Sequence, residues 1–320
     1  MIAQFHKFRY KSIAVKPKII VIGSSNTDMV IKTKRIPAPG ETVLGGTFFM
    51  NAGGKGANQA VAAARLGGTV SLVCKTGGDI FGQEAIAGFK KENITTDLIF
   101  TDATKPSGIA LITVDENAEN CIVVAPGANA SLSVGDIGEI EDFIIRAEII
   151  LMQLEIPLKT VAYIAEFAAE NEIAVILNPA PACELPDELL KNISIITPNE
   201  NEAEKLTGIT VTDIRSAKLA ARSLCDRGVE TVIITLGAEG ALLFDRGVAT
   251  HIPGYKVKPI DTTAAGDVFN GALAVAISEK KSLEEAIDFA CKAAAISVTR
   301  LGAQASAPFT HEIGAFNFTS

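Results

Sequence analysis

The residues best suited to chemistry in this chain are Asp261-Thr262-Thr263-Ala264-Ala265-Gly266-Asp267-Val268-Phe269-Asn270-Gly271. Tyr255–Ile260 ahead of them reads as a short extended segment. Val268, Leu273, Val275, Ala276 and Ile277 behind give a largely apolar helical run. The small residues between predict a tight loop that opens directly into a helix. Such a junction presents unpaired backbone N–H groups and the positive end of the helix dipole, which together make an anion site. Ala264, Ala265 and Gly266 have almost no side chain, so an anion can come close to the backbone. Asp267 then falls in the first helical turn, beside that anion. A carboxylate there repels an anion that is merely bound, but it suits a base that takes the proton from a hydroxyl attacking the anion. Oriented donors for the charge and an aspartate for the nucleophile's proton are the parts phosphoryl transfer requires. An aspartate in a first turn also simply favours the dipole, and the loop alone does not decide between the two.

A second stretch, Asn51-Ala52-Gly53-Gly54-Lys55-Gly56-Ala57-Asn58-Gln59-Ala60, lies more than 200 residues earlier. Gly53 to Gly56 predict the opening of a helix through Ala57, Ala60, Val61, Ala64 and Leu66 that ends at Gly67-Gly68. It is not a P-loop, because Gly56 follows Lys55 where Ser or Thr should stand and no nucleotide-binding strand precedes it. The glycines let backbone close on a ligand, with Lys55 and Asn58 adding polar contacts. A glycine-capped surface helix is the plainer reading. The two stretches, the later one extended by Ala272 and Leu273, resemble the two signatures of the ribokinase (PfkB) family of carbohydrate kinases. The likeness runs from about Lys18 to Phe309.

The elements that must position these residues follow a strand–helix–strand rhythm. Lys18–Gly23, Val70–Cys74, Ala147–Leu154, Ile173–Leu177, Ile193–Ile196 and Glu230–Leu236 read as apolar strands, and Leu158–Glu170 and Leu283–Val298 as helices. That rhythm predicts an α/β fold with a doubly wound, mostly parallel central sheet and helices on both faces. Met29–Ile36, Thr42–Met50, Gly108–Val114 and Cys121–Ala125 read as strands of a second, smaller sheet, the last two as a hairpin. The resemblance implies that these four form a discontinuous β lid over the sugar, from about 29–50 and 108–125, within one kinase domain spanning 18–320. It also implies a homodimer joined through that lid.

Ligands of such sheets bind beyond the carboxyl ends of the strands. Asn26 and Asp28 follow the first strand, and an amide with a carboxylate can hold a polyol, although spacing alone favours a polar turn. Glu155 ends the strand at Gln153-Leu154-Glu155, where a solvated Glu is the plainer reading. By resemblance, Asn26, Asp28, Gly53, Gly54, Lys55, Asn58, Glu155 and Asp267 bind the sugar. Asn199 and Glu202 match the family's Asn-x-x-Glu motif for Mg²⁺ and the nucleotide phosphates. Acidic residues suit a helix N-terminus anyway. Thr235, Gly237, Gly240, Gly266 and Cys291 match nucleotide-binding positions, Cys291 departing from the Asn or His common in the family. Asp261, Thr263, Ser297, Arg300, Gly302 and Ser306 match a site for a monovalent cation, usually K⁺. The activity implied is phosphorylation of D-ribose on its 5-hydroxyl by ATP, with Asp267 as base and Ala264, Ala265 and Gly266 as anion hole. Deoxyribose, fructose, adenosine or pseudouridine are alternative acceptors, and a silent sugar- or nucleotide-binding regulator is the reading from another class. A Rossmann dehydrogenase is poorly matched, since Gly23 is followed by Ser24-Ser25-Asn26.

Composition bounds the rest. The 320 residues carry a net charge of −8 and a pI near 5.1, against nucleic-acid binding through a broad basic face. Cys74, Cys121, Cys183, Cys225 and Cys291 form no C-x-x-C pair, which suits a reducing cytoplasm. The three histidines, His6, His251 and His311, have no metal-ligand spacing. No apolar run reaches the roughly 18 residues of a membrane span. Residues 1–17 are basic and free of acid, and read as a disordered or extraneous extension.

Overall fold

A computed structural model describes residues 18–117 and 119–318. The basic extension read at 1–17 lies outside the described residues.

Strand β1 (Ile19–Ile22) is apolar on both sides because both faces of the sheet are covered. β4 (Val70–Val73) and β9 (Ile149–Met152) flank it in parallel, with Ile19 opposite Val70 and Ile149. β10 (Ala174–Leu177), β11 (Ile195–Ile196) and β12 (Thr231–Thr235) continue the parallel run. The hairpin of β13 (Ala241–Asp245) and β14 (Val248–Ile252) adds two antiparallel strands, giving the order β14-β13-β12-β11-β10-β9-β1-β4. The expected sheet is therefore present, with an antiparallel edge that the strand–helix rhythm did not announce.

Alternate residues of each strand feed two cores. Ile20, Ile22, Ile150, Met152, Val175 and Leu177 pack under helices α3 (Leu158–Glu170) and α5 (Ile214–Asp226). Ile19, Val21, Ile149, Leu151 and Ile176 pack under α1 (Lys55–Arg65), α6 (Ala265–Ser278) and α7 (Leu283–Ser297). Two other helices matter for the site, α2 (Ile80–Lys91) and α4 (Glu200–Thr207). α6 lies unusually close to α1: a Cβ on Gly271 would come 2.7 Å from Gln59 O and 2.8 Å from Ala62 Cβ. That approach sets the register between Asp267 and the 58–59 pair.

The smaller sheet has the order β3-β2-β7-β8. Its strands are β2 (Asn26–Lys32), β3 (Thr47–Gly53), β7 (Gly108–Val114) and β8 (Asn120–Ala125). β7 and β8 form the expected hairpin, while β2 runs parallel to β7. Both strands shift toward the site: β2 runs Asn26–Lys32 rather than Met29–Ile36, and β3 runs Thr47–Gly53 rather than Thr42–Met50. Asn26 and Asp28 therefore stand in a strand, where pairing with Gly53 and Asn51 holds them, rather than in a polar turn. Tyr255–Ile260 forms no ladder strand; only Lys256 within it makes an isolated bridge. A short parallel pair, β5 (Lys75–Gly77) with β6 (Phe100–Asp102), was also not expected. Among the described residues no helix is long and apolar enough to cross a membrane, and all five cysteines are free thiols.

Candidate active site

Five parallel strands deliver polar residues to one edge of the sheet. Ser24 follows β1, Gln153 and Glu155 follow β9, Asn178 follows β10, Thr197 and Asn199 follow β11, and Thr235 ends β12. Helix α6 points its N-terminus at the same edge. Ala264, its N-cap, takes the left-handed conformation at φ 60° and offers no side-chain cap. Ala265 N–H bonds Thr262 O at 3.3 Å and Val268 N–H bonds Ala264 O at 2.9 Å, while the Gly266 and Asp267 amides between them find no backbone acceptor. Gly266 is exposed, with no atom within 4 Å of where its Cβ would stand. The expected anion loop is thus an open, uncapped helix start.

Asp267, 5% exposed, stands one residue further on. Asn58 Nδ2 donates to its Oδ2 and Gln59 Nε2 to its Oδ1, both at 2.9 Å. Asn58 Oδ1 is buried without a protein partner. Burial pushes the Asp267 carboxyl above its usual range, with Lys55 and the two amides opposing and Glu155 adding. Burial pulls the Lys55 ammonium down, but Asp267, Glu155 and Glu202 outweigh it and hold it above its ordinary value. Burial also raises Glu202, against Asn199 N–H and Lys55.

The glycine turn before α1 is built by contact. Gly54 (φ 89°) lies where a Cβ would come 2.7 Å from Asn26 N, and a Cβ on Gly53 would strike the Asp28 carboxylate at 2.3 Å. Glu155 accepts from Ser24 Oγ at 2.5 Å and from Lys55 N–H at 3.0 Å, so it ties the β1 loop to the first turn of α1. Asn129 Nδ2 donates to Asn26 Oδ1 at 2.8 Å. Asn26, Gly53, Gly54, Lys55, Asn58, Glu155 and Asp267 therefore lie close together at this edge, and Asp28 feels the charges of Glu155 and Asp267.

Asn199 and Glu202 form a reciprocal capping box on α4, Asn199 Oδ1 accepting from Glu202 N–H at 2.8 Å and Glu202 Oε2 from Asn199 N–H at 2.9 Å. Local capping explains this pair fully, yet Glu202 also acts electrostatically on Lys55 and Asp267. Thr235 bridges to Asn199, and Gly237 and Gly240 turn the chain at φ 53° and 92°. Asp261 accepts from Thr263 N–H and Gly302 N–H, each at 2.9 Å. Burial would raise this carboxyl, but those bonds outweigh it and hold it below its usual range. Ile260 N–H and Asp261 N–H both reach Val298 O, which brings Ser297 and Arg300 alongside. The Ser297 and Ser306 hydroxyls turn back to Ala294 O and Ala303 O, and the Arg300 guanidinium pairs with Glu312. A cation there would have the Asp261 carboxylate and backbone carbonyls as donors, a set that fits a hard monovalent ion. Cys291 is buried among core residues of α7, and burial, with Asp288 adding, pushes its thiol up to about 12.

A family model described as pfkB family carbohydrate kinase matches residues 16–310. The chain belongs to this family. It is 48% identical over 298 residues to the ribokinase of Haemophilus influenzae, covering 93% of this chain and 97% of that protein. It is 39% identical over 291 residues to the deoxyribokinase of Salmonella typhi, covering 91% and 95%. Its fold is similar to that of Arabidopsis thaliana ribokinase complexed with ribose and ATP, with a TM-score of 0.86, 32% identity and coverage of 93% and 98%.

Within the family frame, the sequence reading passed over Ser24, Gln59, Asn129, Gln153 and Asn178. Gln59 stands beside Asn58 and Gln153 two residues before Glu155, so both lay inside stretches already singled out. Asn178 follows the strand read at Ile173–Leu177, the same strand-end signal as Glu155, whereas Asn129 gave none, because long-range pairing alone brings it to Asn26. Asp28 carries a measurable consequence. Burial pushes its carboxyl up to about 6, with Glu155 and Asp267 adding. Between pH 4 and 6 the unfolded chain releases this proton while the folded protein keeps it, so stability falls as pH rises through that window. Asp28→Asn is expected to stabilise the protein at pH 8 by on the order of 1–3 kcal/mol and to change little at pH 4. Thermal unfolding at both pH values checks this, and an equal shift at both would rule out the buried charge as its cause.

Proposed function

We infer that this chain transfers the γ-phosphoryl group of ATP to the 5-hydroxyl of D-ribose, giving D-ribose 5-phosphate and ADP. The observation that carries the reading is a buried, doubly hydrogen-bonded Asp267 in the first turn of an uncapped, glycine-opened helix. Asp267 takes the proton of the sugar hydroxyl as its oxygen attacks the γ-phosphorus in line. The bond to the β–γ bridging oxygen breaks and the electron pair leaves with ADP. Backbone amides of Ala264, Ala265 and Gly266 face the charge that develops. Asn58 Oδ1 accepts from a sugar hydroxyl, and Asn26, Asp28, Gly53, Gly54, Lys55 and Glu155 hold the rest of the sugar.

Thr235, Gly237, Gly240 and Cys291 border the nucleotide. Asn199 and Glu202 would hold Mg²⁺, which would supply positive charge against the phosphates in a site otherwise rich in carboxylates. Asp261, Thr263, Ser297, Arg300, Gly302 and Ser306 would hold K⁺, which would stiffen the anion loop beside it. The four-stranded sheet acts as a lid within a single kinase domain and excludes water that would hydrolyse ATP. By register Ile31, Phe48, Met50, Leu111 and Val123 share one exposed lid face, which supports a homodimer joined there. Five free thiols suit a cytoplasmic location.

The deoxyribokinase relative favours 2-deoxyribose as a second reading. ADP release with Mg·ATP, with and without K⁺, is expected to be fastest with D-ribose and to rise with K⁺. The same preparation is expected to sediment as a dimer. A preference for 2-deoxyribose, fructose or adenosine would overturn the acceptor while keeping the phosphoryl-transfer reading. No turnover with any of them would favour a silent binder.

A further inference from the structure

Behind the pocket, three buried amides make a chain that ends on the carboxylate. Gln153 Nε2 donates to Gln59 Oε1 at 2.6 Å. Gln59 Nε2 donates to Asp267 Oδ1 at 2.9 Å and to Asn178 Oδ1 at 3.0 Å. Gln59 and Gln153 are both fully buried, and Asn178 nearly so. They come from α1, the end of β9 and the end of β10, whereas Asp267 comes from α6.

We propose that Gln59 is a positioning residue for Asp267, its own carboxamide held in one orientation by Asn178 and bonded by Gln153. The proposal rests on the reading of Asp267 as the base. Turning the Gln59 amide over would set its oxygen against Asp267 Oδ1 and Asn178 Oδ1, and its NH₂ against the NH₂ of Gln153. The two contacts with Asp267 and Asn178 would become like-with-like pairs in a fully buried place, so they enforce the orientation, while Gln153, whose Oε1 has no partner, adds its bond to whichever face Gln59 presents. With Gln59 on one oxygen and Asn58 on the other, the plane of the carboxylate is set, and with it the direction in which a lone pair meets the substrate hydroxyl. Neutral amides do this without a cation bonded to the carboxylate, and so leave it more basic than an arginine would. The charged groups that act on Asp267 are Lys55 from α1, Glu155 beyond β9, Asp28 from β2 and Glu202 from α4.

The test uses the full chain with Mg·ATP and D-ribose, and compares Gln59→Met, Gln153→Leu, the double variant and Asp267→Asn. Gln59→Met keeps side-chain length and removes the amide. It is expected to lower kcat by about tenfold or more, with KM for ribose changed by less than about threefold. The acid limb of kcat is expected to move to higher pH, since the carboxylate has lost a donor. Gln153→Leu is expected to lower kcat less, and to add almost nothing on top of Gln59→Met. An unchanged kcat and acid limb in folded Gln59→Met overturns the proposal, as does a change confined to KM. If Gln59→Met does not fold, an unchanged acid limb in Gln153→Leu overturns it. Near-normal turnover of Asp267→Asn would instead defeat the base reading, a failure distinct from that of Gln59.

Discussion

Asp267→Asn is expected to lower kcat by about 10²–10⁴-fold, the usual contribution of a positioned base, while sugar and nucleotide affinities change by less than about threefold. The variant keeps the size of the side chain and loses the charge and the proton affinity. Its new NH₂ group must face one of two donors, Asn58 Nδ2 or Gln59 Nε2. Asn58 can accommodate it, because its Oδ1 is buried without a partner and a turn of its amide presents that oxygen to the new NH₂. Gln59 cannot turn without setting its oxygen against Asn178 Oδ1. The pocket therefore has a way to absorb the substitution, and lost turnover reports the chemistry rather than collapse. Steady-state ADP release paired with calorimetric titration of sugar and nucleotide separates the two. Turnover within about tenfold of the parent would show that the proton leaves by another route.

The second large effect is expected at Gly56, where α1 leans on the end of β1. A Cβ there would come 2.6 Å from Ser24 N and 2.7 Å from Gly23 C, backbone atoms that cannot swing aside. Gly56→Ala must push the first turn of α1 off the sheet. That turn carries Lys55, whose N–H meets Glu155, and leads directly to Asn58 and Gln59. A displacement of about 1 Å at reacting groups costs about 10²-fold in rate, and forcing a methyl into a closed site costs about 1–3 kcal/mol of stability. We expect kcat/KM to fall by about that factor and Tm to drop. Gly88→Ala in α2 is the control: nothing lies within 4 Å of its added Cβ, and a helix interior favours Ala over Gly. It should leave the rate unchanged and the protein no less stable. Equal losses in the two variants would refute the argument from close approach.

How much of this could be read from the chain follows from how local each cause is. The apolar runs of β1 and β9 declare buried parallel strands because four consecutive large apolar residues in so short a segment between turns suit a strand covered on both faces. The loop into α6 declares an anion site because tiny residues and a helix start are neighbours in sequence. The lid strands were visible as strands, but their ends were not. Asn26 and Asn51–Gly53 are polar or small, and their strand character comes from pairing with each other across the sheet. The antiparallel β13–β14 edge escaped for a related reason, since a hairpin's direction relative to its sheet is no property of its own residues.

The chain by itself determined the strand–helix rhythm, the two glycine-rich turns and the carboxylate in the first turn of α6, since each depends on residues within a few positions of one another. Tertiary structure alone decided which groups meet Asp267. Gln59 lies 208 positions from it and Asn178 is 119 from Gln59, and their bonds exist only because α1 and α6 pack closely over strands that arrive in parallel. It also decided the state of the carboxylates. Asp28 is an ordinary aspartate in the sequence, and becomes one that holds its proton to about pH 6 only when the fold buries it near Glu155 and Asp267.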